Sequence, residues 1–230
     1  MKLSPETIAI LKNFSLVNPS IRLTPGNLIM TKNFHGSIYA EHEAKDEIDE
    51  TYDIFDLGGF LNVLTIAPDG SEIKLSADKT EIEIESTRVK LKYPLADSSA
   101  RIVVPAKRAI FPEANVSFEM SSEDYQQLMK ATRTLGATTI TIENDDSGKI
   151  AINAYNKSID PNFEKPVYKV LFSDYTGNAF KYIISLDNLV IQSGAYQVEL
   201  WASGDRYATF FKSESASYII AVELKSFANF

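Results

Sequence analysis

Several features that define common functional classes are missing from this sequence of 230 residues. It contains no cysteine, which excludes disulfide bonds and thiolate metal sites, and its only histidines are His35 and His42. It has neither the glycine spacing of a phosphate-binding loop nor a serine, histidine and acid set with supporting context. We therefore expect a protein that is not an enzyme and that needs no cofactor and no metal.

Long hydrophobic runs are missing as well. No stretch approaches the roughly 18 apolar residues that a membrane-spanning helix needs. The first residues, MKLSPETIAILKNF, do not form a secretory signal, because Glu6 and Lys12 interrupt them. Together with the lack of cysteine, this predicts a protein of a reducing, cytosolic setting that has no membrane partner.

Basic residues are in the minority, with 23 against 31 acidic ones and a formal net charge of -8. This balance argues against tight, non-specific affinity for DNA, because attraction to phosphate is the main source of such affinity. The charge is nevertheless uneven along the chain. Eight acidic residues fall between residues 41 and 56, whereas residues 101–112 carry three basic residues and no acidic one. The acidic total is therefore compatible with a local basic surface.

The sequence does contain one order of elements written twice. Two helices begin in the same way, with Ser4 and Ser121 as N-caps, 117 residues apart, and with acidic residues in the first turn. Later in each half, an apolar segment after Asp56 or Ser185 predicts a second, shorter helix, which in the second half ends at Gly194. The repetition predicts the same architecture for both halves.

Predicted β-strands fill the rest of each half. A hairpin follows each long helix, with the turns at Pro25-Gly26 and at Ser147-Gly148. Later strands alternate apolar and polar residues, which indicates that one face of the sheet is buried. These strands read SEIKLSA, TEIEIES and RVKLKY in the first half and AYQVELWA, YATFFKS and SYIIAVEL in the second.

The repeat predicts an α+β fold with two similar domains, each with two helices packed on an antiparallel sheet. The predicted domains are 1–94 and 113–230. Residues 95–112 form the interdomain connector, because three prolines and several small polar residues fall in or next to this segment. The alternative is that short patterns repeat by coincidence.

The predicted outer faces of the two long helices carry basic and amide side chains. On the helix after Ser121, the residues expected to face the sheet are Tyr125, Leu128, Met129, Thr132 and Leu135. The polar residues on the opposite faces are Lys12, Asn13, Gln126, Lys130 and Arg133, and Lys2 lies just before the cap of the first helix. Two interpretations remain open: any solvated helix face carries lysines, or positive charge is segregated on a surface that surrounds a polyanion.

Several segments occur in the same order as in one known family, from the first residue to the last. They are MKLS with LKNF, YDIFDLGGFL, QQLMKATRTLG, INAYNK, SDYTGNAF, GAYQVELWASG and YIIAVE. As a set they resemble the DNA polymerase sliding clamp of T-even-type bacteriophages. Agreement is weakest around residues 67–90 and 157–166.

The resemblance implies a homotrimeric ring of six similar domains, with helices around a central hole through which double-stranded DNA passes. It implies a processivity factor that tethers the replicative DNA polymerase and is opened and closed by an ATP-driven clamp loader. It also implies a partnership with late-transcription factors, and a location in the cytoplasm of an infected bacterial host.

The resemblance also implies roles for particular residues. The six polar residues given above, five on the helices and Lys2 before the first cap, would face DNA. A pocket for hydrophobic partner tails, the polymerase C-terminal tail among them, would involve Val103, Val104, Ile110, Phe111, Pro112 and Trp201. Tyr93 and Phe163 are candidates for the subunit interface. Alternatives remain: Trp201 as a packed strand residue, Phe111 as an anchor of the connector, and core packing for Tyr93 and Phe163.

Two other functions fit parts of the sequence. A β-rich virion structural protein would share the acidity, the aromatic residues and the repeat. A binder of single-stranded nucleic acid would need exposed stacking aromatics, yet most aromatic residues here fall on the apolar side of alternating strands.

Overall fold

A computed structural model of the protein describes residues 1–97 and 101–230. The chain divides into Met1–Arg108, here called unit 1, and Ala109–Phe230, called unit 2. The dividing point falls inside the segment predicted as a connector, part of which, residues 98–100, lies outside the described residues. Three α-helices pack on antiparallel sheets, two in unit 1 and one in unit 2, which confirms the predicted α+β class.

Unit 1 contains two helices and seven strands within its described residues. In chain order they are α1 (Pro5–Val17), β1 (Ile21–Leu23), β2 (Gly26–Lys32), β3 (Ile38–Ile48), β4 (Tyr52–Ile54), α2 (Leu57–Ile66), β5 (Glu72–Leu75), β6 (Glu81–Glu85) and β7 (Lys90–Pro94).

Both helices of unit 1 begin where the sequence predicts. The Ser4 side chain accepts a hydrogen bond from the Thr7 N–H and Pro5 occupies the first turn of α1, while the Asp56 side chain accepts from the Gly59 N–H at the start of α2. The two helices pack against each other. Their buried residues include Ile10, Leu11, Phe14, Leu57, Phe60 and Leu61.

The predicted hairpin at Pro25-Gly26 is wrong. β1 pairs with β4, with Ile21 opposite Ile54, whereas β2 pairs with β3, with Thr31 opposite Ala40. The turn that joins β2 to β3 lies instead at residues 33–37. There the Asn33 side chain accepts from the Ile38 N–H, and Gly36 takes a left-handed φ of 71°. Because the strands on the two sides of Pro25-Gly26 pair with different partners, no hairpin closes there.

Strands β5, β6 and β7 form a three-stranded sheet, as the alternating pattern predicts. Ile82 and Ile84 are buried, with Tyr93 and Leu91 as their partners on β7. Lysine and glutamate residues alternate with these side chains and form cross-strand ion pairs, such as Lys92 with Glu81.

Unit 2 contains one α-helix, one 3-10 turn and nine strands within its described residues. In chain order they are β8 (Val116–Met120), α3 (Ser122–Thr134), β9 (Thr139–Asn144), β10 (Lys149–Tyr155), β11 (Tyr168–Asp174), β12 (Phe180–Ser185), the 3-10 turn (Leu186–Asn188), β13 (Tyr196–Ser203), β14 (Arg206–Lys212), β15 (Ser217–Ile220) and β16 (Phe227–Ala228).

Helix α3 has the N-terminus that the sequence predicts. Ser121 and Asp124 form a reciprocal capping box. Tyr125, Leu128 and Thr132 are buried, as expected from the helical period. The expectation for Leu135 is wrong, because it lies at the C-cap beyond the last turn, where its side chain is 46% exposed.

The prediction of a second helix in unit 2 is also wrong. Only Leu186–Asn188 form a 3-10 turn, and the chain beyond it is irregular. Asp187, Asn188 and the β-branched pair Val190-Ile191 are weak helix formers. Tyrosine side chains bind the backbone here instead: the Tyr125 hydroxyl donates to the Ile191 carbonyl oxygen, at 3.1 Å.

Unit 2 has two antiparallel ladders. One is a five-stranded sheet in the order β11-β10-β9-β12-β16, and its hairpin turn at Ser147-Gly148 lies where the sequence predicts. In the other, β13 pairs with β8 and with β14, which in turn pairs with β15. No helix in the described residues has the length and apolar character needed to cross a membrane.

Candidate nucleic-acid interface and partner groove

The outward face of α3 carries a basic stripe. Gln126, Lys130 and Arg133 are all exposed, and their spacing of four and three residues places them along one side of the helix. The Gln126 amide donates to the Ser122 hydroxyl at 3.2 Å. Within the described residues, neither Lys130 nor Arg133 forms an ion pair. Their charges are therefore available to an external anion.

A groove of about 500 Å³ runs beside this stripe. Besides the stripe residues, its lining includes Met129, Ile191 and Ser193. The irregular segment after the 3-10 turn thus leaves open the space next to α3. Burial raises the pKa of Tyr125 in this groove, and the nearby charge of Arg133 acts in the opposite direction.

Helix α1 carries the corresponding residues of unit 1. Lys12 is exposed on the helix and Lys2 is exposed just before the N-cap. In the part of the chain that the structure describes, neither lysine forms an ion pair. Asn13 is half-buried, and the next exposed residue on the side of Lys12 is Leu16, which is 71% exposed.

Cations on the sheets are in a different situation, because most of them are neutralised by a neighbouring carboxylate. These pairs are Arg22–Asp53, Lys74–Glu85, Lys90–Glu85, Lys92–Glu81, Lys149–Asp174, Lys169–Asp145, Lys181–Glu143 and Lys212–Glu199. Paired charges exert little attraction beyond the Debye length. Among the described residues, exposed cations without an ion pair lie on the helix faces, in loops, where Lys165 and Lys225 are examples, and at the start of β14, where Arg206 lies.

The connector is fixed to unit 1 at two points. The Arg108 guanidinium binds the buried Glu41 carboxylate at 2.8 Å and the exposed Glu43 carboxylate at 2.7 Å, and these contacts raise the pKa of Arg108. Asn18, which caps the end of α1, donates to the Val103 carbonyl oxygen at 3.1 Å. Arg108 is therefore an ion-paired residue of the connector and not a free cation.

The predicted partner-pocket residues are divided between the two units. Val103 lines a groove in unit 1, whereas Ile110, Phe111, Pro112 and Trp201 belong to unit 2. Ile110 is 80% exposed. The Phe111 ring packs edge-on against Phe210 with centroids 5.2 Å apart, which agrees with its alternative role as an anchor. Arg206 lies over the Trp201 ring at 5.7 Å.

The unit 1 groove includes two aromatic residues that sequence reasoning missed, Phe34 and Phe55. Neither residue belongs to a helical or alternating pattern, since Phe34 lies in the β2–β3 turn and Phe55 lies between β4 and the α2 cap. The available signal in the sequence was a phenylalanine that lies beside turn residues and outside any apolar periodicity.

The two interface candidates differ in burial. Tyr93 is half-buried on β7, where its hydroxyl donates to the Asp56 carbonyl oxygen at 2.6 Å and its ring packs against Phe60. Phe163 is only 5% exposed and packs edge-on against Tyr155 inside unit 2, which favours its alternative role in the core.

Two family models match the chain. "DNA polymerase processivity factor" matches residues 3–104, and "gp45 sliding clamp, C terminal" matches residues 117–224. The sliding clamp of Escherichia phage RB69 is 44% identical over 231 residues, and that of Enterobacteria phage T4 is 40% identical. Both alignments cover all of this chain and all of the relative.

Solved structures with a similar fold have much lower sequence identity. A. fulgidus PCNA, solved with the C-terminal region of FEN-1, gives a TM-score of 0.66 at 15% identity and covers 98% of both chains. The PCNA2–PCNA3 complex of Sulfolobus tokodaii gives 0.64 at 12% identity and covers 96% of both chains. These similarities concern the fold alone, and nothing in the comparisons supports a virion structural protein.

Proposed function

This chain belongs to the family of sliding clamps of T4-type phages, which are DNA polymerase processivity factors and not enzymes, and on that premise we propose that three copies form a ring around double-stranded DNA. The ring holds the replicative polymerase on its template inside the infected bacterial cell. The proposal includes an ATP-driven loader that opens the ring and late-transcription factors that use the loaded ring.

One observation carries the DNA-facing part of the proposal. Uncompensated cations lie on the exposed faces of α1 and α3, while neighbouring carboxylates neutralise most cations on the sheets. A few phosphate contacts give weak, salt-sensitive attraction without sequence preference. Such contacts suit a ring that must move along DNA, because strong adhesion would oppose sliding.

Ring closure requires head-to-tail contacts between copies. β7 is an edge strand of the three-stranded sheet in unit 1, and β11 is an edge strand of the five-stranded sheet in unit 2. Edge strands present backbone groups that can pair with another chain. We place β7 of one copy beside β11 of the next, with Tyr93 at the junction and the buried Phe163 supporting the unit 2 side from within.

Partner tails are expected at the connector. The candidates there are Val103 in unit 1 and Ile110, Phe111, Pro112 and Trp201 in unit 2. The fixed position of the connector, through Arg108 and Asn18, supports a preformed site.

Retention on circular DNA tests the proposed function. The protein is loaded onto nicked circles by an ATP-driven clamp loader, and the DNA is then either left circular or cut once. A ring stays on circles and leaves through the ends of linear DNA. Equal retention on both forms refutes encirclement, and a native mass of a single chain refutes the trimer.

A further inference from the structure

The turn between α2 and β5 contains the one Asp-Gly pair of the sequence, Asp69-Gly70, and the sequence has no Asn-Gly pair. Both residues are exposed, and Gly70 has a φ of 72°, as the third residue of a type II turn does. The Ser71 N–H donates to the Pro68 carbonyl oxygen at 3.1 Å and so closes the turn around the pair. The peptide bond between Asp69 and Gly70 therefore lies at the tip of the turn, next to solvent.

The carboxyl of Asp69 and the backbone nitrogen of Gly70 are both unengaged. Within residues 1–97 and 101–230, neither group takes part in a hydrogen bond or an ion pair. No other atom lies within 4 Å of the position that a Cβ of Gly70 would occupy, so the space beside this backbone is open. Because glycine has no side chain, nothing on Gly70 itself hinders a reaction at its nitrogen.

A comparable pair in unit 2 is protected by its surroundings. Asp146 is exposed and is followed by a small residue, Ser147. The Ser147 N–H, however, donates to the Asp145 carboxylate at 2.9 Å. A nitrogen held in this way must break a charge-assisted hydrogen bond before it can react. The structure therefore distinguishes Asp69-Gly70 from this second exposed pair.

We propose that Asp69-Gly70 is a modification site at which aspartate isomerises spontaneously to isoaspartate. The Gly70 nitrogen bonds to the side-chain carboxyl carbon of Asp69 and gives up its proton, and one carboxyl oxygen leaves as water, which forms a five-membered succinimide. Water then adds to the main-chain carbonyl of the ring. The chain now continues through the side chain of residue 69, and its main-chain carboxylate is free. One water is lost and one is regained, so the product has the same mass and the reaction needs no oxidant or reductant.

The product changes the main chain of the turn. Isoaspartate adds one carbon to the backbone between Pro68 and Ser71, the two residues that the closing hydrogen bond joins. Ile73, two residues further on, is only 2% exposed and its N–H is bonded to the Met1 carbonyl oxygen at 2.8 Å, so β5 is fixed in place. The extra length therefore stays within the turn, where it opposes the bond between Ser71 and Pro68.

Prolonged incubation of the full, folded chain in neutral buffer at physiological temperature tests this assignment. Isoaspartate is quantified by methyl transfer from labelled S-adenosylmethionine, catalysed by an isoaspartyl methyltransferase. It is located by electron-transfer fragmentation of the tryptic peptide of residues 46–74. The wild type is expected to yield a second peptide of equal mass with isoaspartate at residue 69. A synthetic peptide of residues 64–75 is the unfolded reference, and the folded chain is expected to convert at a similar rate because the turn leaves both reacting groups free.

Three variants at exposed positions separate the possible outcomes. Asp69→Glu is expected to abolish the signal, because its ring would have six members and forms far more slowly. Asp69→Asn is expected to accelerate it, because ammonia leaves the side chain more readily than water does. Asp146→Glu, the matched control, is expected to leave it unchanged. A folded wild type without isoaspartate at residue 69 after the peptide has converted, or a signal that persists in Asp69→Glu, overturns the assignment. The measurement uses no DNA, so its result is independent of the proposed ring.

Discussion

Reversal of the two charges on α3 is the most direct perturbation of the DNA-facing surface. Lys130→Glu and Arg133→Glu change exposed side chains that have no ion-pair partner in the described residues, so the fold is expected to remain intact. The two residues are three positions apart, which corresponds to about 4.5 Å along the helix axis. Duplex DNA carries one charge per about 1.7 Å of its axis, so both side chains can meet phosphates at the same time.

The size of the effect follows from counterion release. Each phosphate contact contributes about 0.9 to the slope of log K against log salt, so two contacts on one engaged chain contribute about 1.8. Extrapolated from 1 M to about 0.1 M salt, this slope corresponds to a factor of about 60 in the association constant. If all three copies contact DNA at once, the slope contributed by these residues rises to about 5.4.

The assay measures clamps that remain on nicked circles after gel filtration, over a series of salt concentrations. The double variant is expected to load about 60-fold less well near 0.1 M salt and to show a flatter salt dependence. Lys165→Glu with Lys225→Glu is the matched control, because it makes the same change in net charge on exposed loops of unit 2. Equal effects of the two double variants, or an unchanged salt slope for the α3 variant, refute the assignment of this face to DNA.

Three further predictions concern stability. Ser121→Ala removes the capping box of α3 and is expected to lower the free energy of unfolding by about 1 kcal/mol, measured in urea against Ser158→Ala as the control. Tyr93→Phe removes the hydrogen bond to the Asp56 carbonyl oxygen and is expected to lower the free energy of unfolding by about 1 kcal/mol. An unchanged free energy of unfolding would show that water replaces this bond. Burial and the neighbouring Glu143 raise the pKa of Tyr155 to about 12, above its value of about 10 in an unfolded chain. The neutral Tyr155 hydroxyl therefore contributes fully to the free energy of unfolding below pH 10, and this contribution is lost as the pH rises towards 12. Over this interval the free energy of unfolding of the wild type should therefore fall by up to about 1.4 kcal/mol per pH unit more than that of Tyr155→Phe. Parallel curves of unfolding free energy against pH for the two proteins would contradict the assignment.

Local sequence signals predicted most of the elements correctly. The N-caps Ser4, Asp56 and Ser121 each accept a hydrogen bond from the helix that they begin. These signals are reliable because a cap acts on backbone groups two or three residues away. Alternation likewise predicted the strands that contain Ile82 and Ile84, since one buried face of a sheet requires it.

Prediction failed where distant parts of the chain compete for the same segment. Gly26 begins a strand whose partner is β3, so the hairpin that Pro25-Gly26 suggested does not form. In the segment after Ser185, backbone carbonyl oxygens accept hydrogen bonds from the hydroxyls of Tyr125 and Tyr196, and the segment remains mostly irregular. No periodicity within a short window contains information about such partners.

For the candidate site as well, the sequence predicted one part and only the folded structure showed the other. The sequence placed Lys130 and Arg133 on the exposed side of a helix. It did not show that they have no ion pair within residues 1–97 and 101–230, while Lys74 and Lys92 are neutralised on a sheet. It placed Val103 in the connector, but it gave no sign that Asn18 holds this segment beside an apolar groove.

The starts of the three α-helices, the alternating strands and the family itself were thus determined by the sequence alone, because each depends on nearest neighbours or on collinear similarity. Tertiary structure alone decided which charges are neutralised, which strands pair and where aromatic side chains remain exposed. Those outcomes depend on distances between residues far apart in the chain, and such distances exist only after folding.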